Sequence, residues 1–203
     1  MDVILGNKFM NVIERYNQEL NIVESDINEH LSVLREYAEK CDTITEIGVR
    51  FVVSTYAFAI ANPKKIVSID IIHPNDHTER YGVSSGYRLK EIEDYCTDNN
   101  IIFQFIKGDS TSIEIEETDL LFIDTLHTYQ QLKAELNLHS NKVKKYIILH
   151  DTFSFAHKDD GNNTNCNPCG ILPALNEFLK DNNNWSIHKV YENNNGLTIL
   201  ERK

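Results

Sequence analysis

Five short apolar runs, TITEIG at 43–48, KIVSIDI at 65–71, IIFQFI at 101–106, DLLFID at 119–124 and KYIILHD at 145–151, are separated at three of their four gaps by stretches of helical periodicity. Continuous apolar strands alternating with helices specify a parallel sheet covered on both faces, because only a strand buried on both sides lacks a polar face. The helical stretches are FVVSTYAFAIA at 51–61, apolar nearly all round, a segment from Gly86 to Thr97, and TYQQLKAELNLHS at 128–140. Two amphipathic helices precede the first strand. One spans Lys8 to Leu20 with Phe9, Val12, Ile13 and Tyr16 on a face; the other spans Ser25 to Cys41 with Ile27, Leu31, Leu34, Tyr37 and Ala38. After a helix at 171–179 the pattern changes. WSIHKVYE and GLTILER are joined by Asn193-Asn194-Asn195-Gly196, a link that reads as a hairpin and ends the sheet with an antiparallel strand.

The reading is a doubly wound α/β fold with a mostly parallel seven-stranded sheet. It places residues 1–42 as helices packed on a single domain at 43–203, a size one core can fill. The first twenty residues carry Asn, Lys, Glu and Arg among their apolar positions, unlike a signal peptide or a membrane span, so the expected location is the cytoplasm. Twenty basic residues against 31 acidic ones leave a formal charge of −11, which disfavours a phosphate backbone as partner. A small-molecule partner is expected instead, with no nucleic acid and no membrane; a homo-oligomer is compatible with the sequence.

In an open parallel sheet, ligands bind outside the carboxyl ends of the strands. Here those ends are Glu46-Ile47-Gly48, Asp70, Lys107-Gly108-Asp109, Asp124 and His150-Asp151. Each Asp or Gly alone also suits a turn or a helix cap. The repetition of carboxylates at these five ends is what points to a site. The first strand-to-helix turn has a single glycine, not the G-x-G-x-x-G that lets a pyrophosphate approach the backbone. A nicotinamide-dependent oxidoreductase is therefore a rival lacking its fingerprint, and a cofactor without phosphates fits better. A non-catalytic binding module is the other alternative, since a fold alone does not establish turnover.

EIGVRFVVST followed by a strand ending in Asp70 resembles the cofactor half of class I S-adenosylmethionine-dependent methyltransferases. FIDTLHTYQQLKAEL followed by YIILHDTF, with NNGLTILER at the end, is similar to the small-molecule O-methyltransferases that include macrolide-sugar and catechol enzymes and cephalosporin hydroxylase-like proteins. The resemblance runs from about Ile44 to Arg202. It implies an O-methyltransferase acting on a hydroxyl of a small polar molecule such as a sugar. Glu46, Gly48 and Ser54 would lie by the methionine moiety, Asp70 would take the ribose hydroxyls, Asp109 and Ser110 the adenine edge, and Asp124 would adjoin the cofactor. Asp124 and Asp151 would hold a divalent ion, with His150 as third ligand; Mg, Mn and Fe are the candidates, and an imidazole favours the latter two over Mg. His127, three residues after Asp124, would be the catalytic base, at a position where catechol-type relatives carry lysine and sugar-modifying ones histidine. Arg50 departs from the commoner small residue, leaving its role open.

Cys166 and Cys169 form a C-x-x-C pair without the further ligands of a zinc site or the helix start of a thioredoxin-like motif, so neither metal nor redox chemistry is expected there. The irregular stretch Thr152 to Gly170 is longer than an ordinary connection and reads as a lid or binding loop.

Overall fold

A computed structural model describes residues 11–77, 79 and 82–203. The helices are α1 (Val12–Leu20), α2 (Leu31–Ala38), α3 (Val53–Ile60), α4 (Ser85–Asp98), α5 (Tyr129–His139) and α6 (Ile171–Asp181). The strands are β1 (Thr43–Ile47), β2 (Lys65–Asp70), β3 (Ile102–Lys107), β4 (Thr118–Ile123), β5 (Val143–His150), β6 (Trp185–Tyr191) and β7 (Leu197–Arg202). They form one seven-stranded sheet in the order β3-β2-β1-β4-β5-β7-β6. The first five strands in that order are parallel, and β7 runs antiparallel to both β5 and β6. From β1 the chain winds outward through β2 and β3, then returns to start β4 on the other side of β1. The crevice between β1 and β4 is thus the switch point at which such sheets bind ligands.

Strand alternation explains why both faces are covered. On β4, Leu120 and Phe122 belong to a core shared with α1 to α4, whereas Leu121 and Ile123 belong to a second core under α5 and α6. Burial of six such side chains from β1 and β4, at about 1.5–3 kcal/mol each, anchors the centre of the sheet. α3 is buried along nearly its whole circumference because it lies against the sheet and under the amino-terminal helices.

The amino-terminal segment departs from the pattern. Helix α1 begins at Val12, capped by an Asn11–Glu14 capping box; Lys8 and Phe9, where the sequence placed its start, lie outside the described residues. The predicted continuous helix from Ser25 is instead a 3-10 turn (Asn28–His30) leading into α2. Its physical cause is tertiary. His30 Nε2 reaches the carbonyls of Asn193 (3.0 Å) and Asn194 (3.2 Å), and Asn194 donates back to the Ser25 carbonyl (2.9 Å). These bonds hold the segment against the β6–β7 link. In that link Asn194, Asn195 and Gly196 adopt positive φ, the conformation Asn and Gly accept most readily.

A buried ion pair, Arg88 to Glu19 at 2.6 Å, joins α1's end to α4, and Arg15 with Tyr56 shares Glu91 nearby. Cys166 and Cys169 form a disulfide, which the sequence reading did not expect. The loop between them brings their Cα atoms to 5.1 Å, inside the range a disulfide needs. Among the described residues no helix is long and apolar enough to cross a membrane.

Candidate active site

The switch-point crevice opens into a cavity of about 530 Å³, within the size range of small-molecule sites. Its lining includes Gly48, Ser54, Asp70, Asp109, Ser110, Asp124, His127 and Asp151. Six of the seven residues expected to bind cofactor thus face one space. The seventh, Glu46, does not line it.

Gly48 is fixed by two constraints. Its φ of +89° suits only glycine, and a Cβ there would overlap the backbone carbonyl of Asp124. The β1 and β4 ends are meanwhile laced together by Asp124 N–H to Ile47 O at 2.9 Å. Close approach of the two strand ends therefore requires the missing side chain. Beyond Gly48 the turn is tight: Arg50 (φ +42°) and Val52 (φ +66°) are left-handed, an unfavourable state for a β-branched residue. Asp70 holds this turn in place. Its Oδ2 accepts the backbone N–H groups of Val49 (2.7 Å) and Arg50 (2.9 Å), and its Oδ1 accepts that of Ile72 (2.8 Å). Arg50 itself is largely exposed and lines the cavity beside Asp26, 3.9 Å away.

Glu46 lies fully buried behind the turn and receives hydrogen bonds from Ser54, Thr55 (2.8 Å) and Ser68 (2.8 Å). Burial pushes its carboxyl up to about 7 against the pull of those three donors. It pins the start of α3 to β1 and β2. On the opposite wall, Ser110 donates to the buried Glu135 (2.6 Å), which also receives Gln131 (2.8 Å) and Thr125 (2.9 Å). Asp109 accepts from Thr111 through its backbone N–H (2.8 Å) and hydroxyl (2.7 Å), bonds that lower its pKa.

Beside Gly48 in the same cavity Asp124, His127 and Asp151 converge. One ligand atom from each lies within 4.8 Å of the others. His127 Nε2 is 2.8 Å from Asp151 Oδ2 and 3.6 Å from Asp124 Oδ1. Asp151 has φ +60°, so its backbone is held in a strained state that aims the carboxylate inward. The histidine within this cluster is His127, whereas the sequence reading placed His150 in the ligand set. His150 sits behind the carboxylates, almost fully buried, with Nδ1 3.3 Å from Asp124 and 3.2 Å from Asp151. The alternation of β5 explains this, because His150 is still inside the sheet while Asp151 is the first residue to leave it.

The charges are strongly coupled. Burial alone would raise the pKa of Asp124, but His150 and His127 hold it far below the usual carboxylate range. Burial likewise works against a charged His127, yet Asp124, Asp151 and Asp160 raise its pKa to about 10. His150 is raised well above its ordinary value by the same two carboxylates, again against its burial. Asp151 Oδ1 and His127 Nε2 are both buried without a hydrogen-bond partner among the described residues. Two carboxylates and an imidazole with orphaned atoms facing one point fit a divalent cation of the Mn, Fe or Mg type.

Asp160 was not anticipated as a site residue. It accepts from the backbone N–H of His127 (2.7 Å) and lies 3.0 Å from His127 Nδ1. Nothing local in the sequence marks it, since it lies in the irregular stretch and reaches His127 only through the fold.

The model of the rhamnosyl O-methyltransferase/CmcI family matches residues 14–202. The chain belongs to this family. It is accordingly a methyltransferase of the S-adenosylmethionine-dependent type, which decides against the oxidoreductase alternative. Direct comparison with curated proteins finds no match. Solved structures share the fold at low identity. A Staphylococcus aureus protein assigned as a caffeoyl-CoA O-methyltransferase aligns at 13% identity and a TM-score of 0.61, covering 86% of this chain and 83% of that one. An O-methyltransferase from Bacillus cereus, in complex with SAH, aligns at 16% identity and 0.59, covering 98% and 94%. An SAH-bound methyltransferase from Podospora anserina aligns at 15% and 0.55, covering 95% and 87%.

Proposed function

We propose that this chain is an O-methyltransferase that methylates a hydroxyl of a small polar molecule, most plainly a sugar or sugar-bearing metabolite, with help from a divalent cation. The observation that carries the reading is the convergence of Asp124, His127 and Asp151 in a cavity that Gly48 and Asp70 also line. The sugar comes from the family's name and from the histidine at position 127.

When bound, S-adenosylmethionine would supply the methyl group, which passes from its sulfur to the acceptor oxygen and leaves S-adenosylhomocysteine as the second product. Asp70 and the turn it organises hold the ribose end, with Gly48 giving the methionine moiety access to the backbone. Ser110 and Asp109 border the adenine end. A divalent cation held by Asp124 and Asp151 would orient the acceptor hydroxyl and lower its pKa. His127 then takes the hydroxyl proton on Nε2. Neutralisation of the two carboxylates by a cation would also remove two of the three influences that raise the imidazole pKa to about 10, leaving only Asp160, and so bring it toward the range where a base works at neutral pH. His127 has one nitrogen to offer, because Nδ1 is engaged by Asp160. A ligand role for the same Nε2 is the second reading, favoured by its place inside the cluster.

The test is incubation of the protein with methyl-labelled S-adenosylmethionine, Mg or Mn, and a panel of sugars, sugar nucleotides and phenols. Mass spectrometry should find a labelled methyl ether on a sugar hydroxyl. Label on phenols alone would overturn the acceptor class, and no cofactor binding in calorimetry would overturn the reading as a whole.

A further inference from the structure

The loop between β5 and α6 reaches the imidazole of His127. Asp160, from that loop, gives one oxygen to the backbone N–H of His127 (2.7 Å) and the other to its ring Nδ1 (3.0 Å). A carboxylate that grips both the backbone and the ring of the same residue removes the freedom of the main chain and of the side-chain torsions together. Phe155, from the same loop, completes the clamp: its ring stacks on the imidazole at 4.5 Å with an interplanar angle of 15°. The loop is itself braced. Asp159 pairs with Asn163 in an antiparallel bridge, the Asp159 carboxylate accepts from Gly170 N–H (2.7 Å), and the Cys166–Cys169 disulfide closes the turn between.

We infer that Asp160 is a positioning residue for methyl transfer: it holds the proton of His127 on Nδ1 and so leaves Nε2 turned toward the reacting oxygen. The inference rests on the function proposed above and deepens it. An ionised carboxylate only accepts, so a ring nitrogen bonded to Asp160 must carry hydrogen. On the other side, Nε2 makes no hydrogen bond of acceptable geometry among the described residues, although Asp151 Oδ2 is 2.8 Å away. In the neutral imidazole the single ring proton therefore goes to Nδ1. The tautomer with a free Nε2 is the one able to accept a proton or bind a cation, and histidines in such roles are commonly fixed by a carboxylate on the far nitrogen. Asp160 touches neither of the other cluster carboxylates in this arrangement; its effect passes through the imidazole. Because it rides on the loop, seating of that loop and orientation of the imidazole become one event.

The experiment uses the full chain with Asp160→Ala and Asp160→Asn, each alone and combined with His127→Ala. Nitrogen–proton NMR of the histidine rings, read without turnover, should show a slowly exchanging downfield Nδ1 proton on His127 that disappears in Asp160→Ala and persists, shifted, in Asp160→Asn, whose amide oxygen still accepts. Turnover should fall about 10–100-fold in Asp160→Ala, the usual effect of removing such a partner, with KM for cofactor unchanged and partial recovery in Asp160→Asn. In the His127→Ala background the same substitution should change the rate less than twofold. An Nδ1 proton signal unaffected by Asp160→Ala overturns the inference, as does an equal rate loss with and without His127. If no acceptor is methylated by the parent protein, the function reading fails while the NMR signal still decides whether Asp160 holds Nδ1.

Discussion

His127 Nε2 and Asp151 Oδ2 lie 2.8 Å apart, brought together from the ends of neighbouring strands β4 and β5. Placed between Asp151 and Asp160, the imidazole faces a carboxylate on each nitrogen. Its ring is thereby oriented before any ligand arrives, which is the condition for a base to act without paying for reorganisation during the reaction.

Replacement of His127 by Ala should lower turnover by about 10²–10⁴, the range for loss of a general base, with cofactor affinity retained. The rate of the parent protein should rise with pH through an ionisation that is missing from the variant. Stopped assays across pH, alongside calorimetry with S-adenosylmethionine, give both quantities. Normal turnover in the variant, or failure traced to lost cofactor binding, removes His127 from the base role.

Removal of the divalent ion by a chelator should abolish methyl transfer and leave the cofactor bound, because the ion serves the acceptor. Titration of the chelated protein with Mn should show one site, weakened by at least about tenfold in Asp124→Asn or Asp151→Asn. Full activity in excess chelator, with metal content measured as nil, contradicts the cation's role.

Asp70→Ala should cost about 1.5–3 kcal/mol of cofactor affinity if its carboxylate meets the ribose hydroxyls. The structure adds a complication that can be measured, since the same carboxylate holds the N–H groups of Val49, Arg50 and Ile72. Thermal melting of the cofactor-free variant separates the two effects: a loss of affinity much larger than the loss of stability belongs to the ribose, and the reverse belongs to the turn.

A methyl group at position 48 has nowhere to go. Gly48→Ala should destabilise the fold by at least about 1–3 kcal/mol, from the left-handed φ and the overlap with the Asp124 carbonyl. Urea melts read the stability, and the shifted β1–β4 junction should also weaken cofactor binding. A variant as stable as the parent would show that the two strand ends can separate freely.

Glu46 predicts a pH dependence of stability. With its folded pKa raised to about 7 from an ordinary 4.5, the folded state binds more protons than the unfolded state between those values, so stability falls as pH rises through that window. Glu46→Gln, which keeps an acceptor oxygen for Thr55 and Ser68 and can donate its amide N–H to the Ser54 hydroxyl, should flatten this slope, a change on the order of 1–3 kcal/mol at pH 8. Denaturant melts of parent and variant at pH 5 and pH 8 make the comparison; parallel behaviour would place the slope elsewhere.

The sheet and its helices were legible because their cause is periodicity. Apolar runs such as 65–71 and 119–124 have no polar face, and a strand without one must be buried on both sides, whatever else the chain does. The carboxylates at the strand ends were legible for the same reason, since leaving the core is where a charge first becomes tolerable. The register of β5 decided what spacing could not: that Asp151 turns into the cavity while His150 stays behind it. Glu46 was likewise correctly seen as a strand-end acid, but only packing shows it buried under three hydroxyls and away from the cavity. Asp160 had no signal at all. Its meeting with His127 depends on a loop closing over the sheet edge, and a contact made between distant segments leaves no period in either one. The sequence by itself determined the layers and the place of the site, through local burial; the tertiary structure alone decided which side chains meet there, because those distances are set by strand register and loop closure.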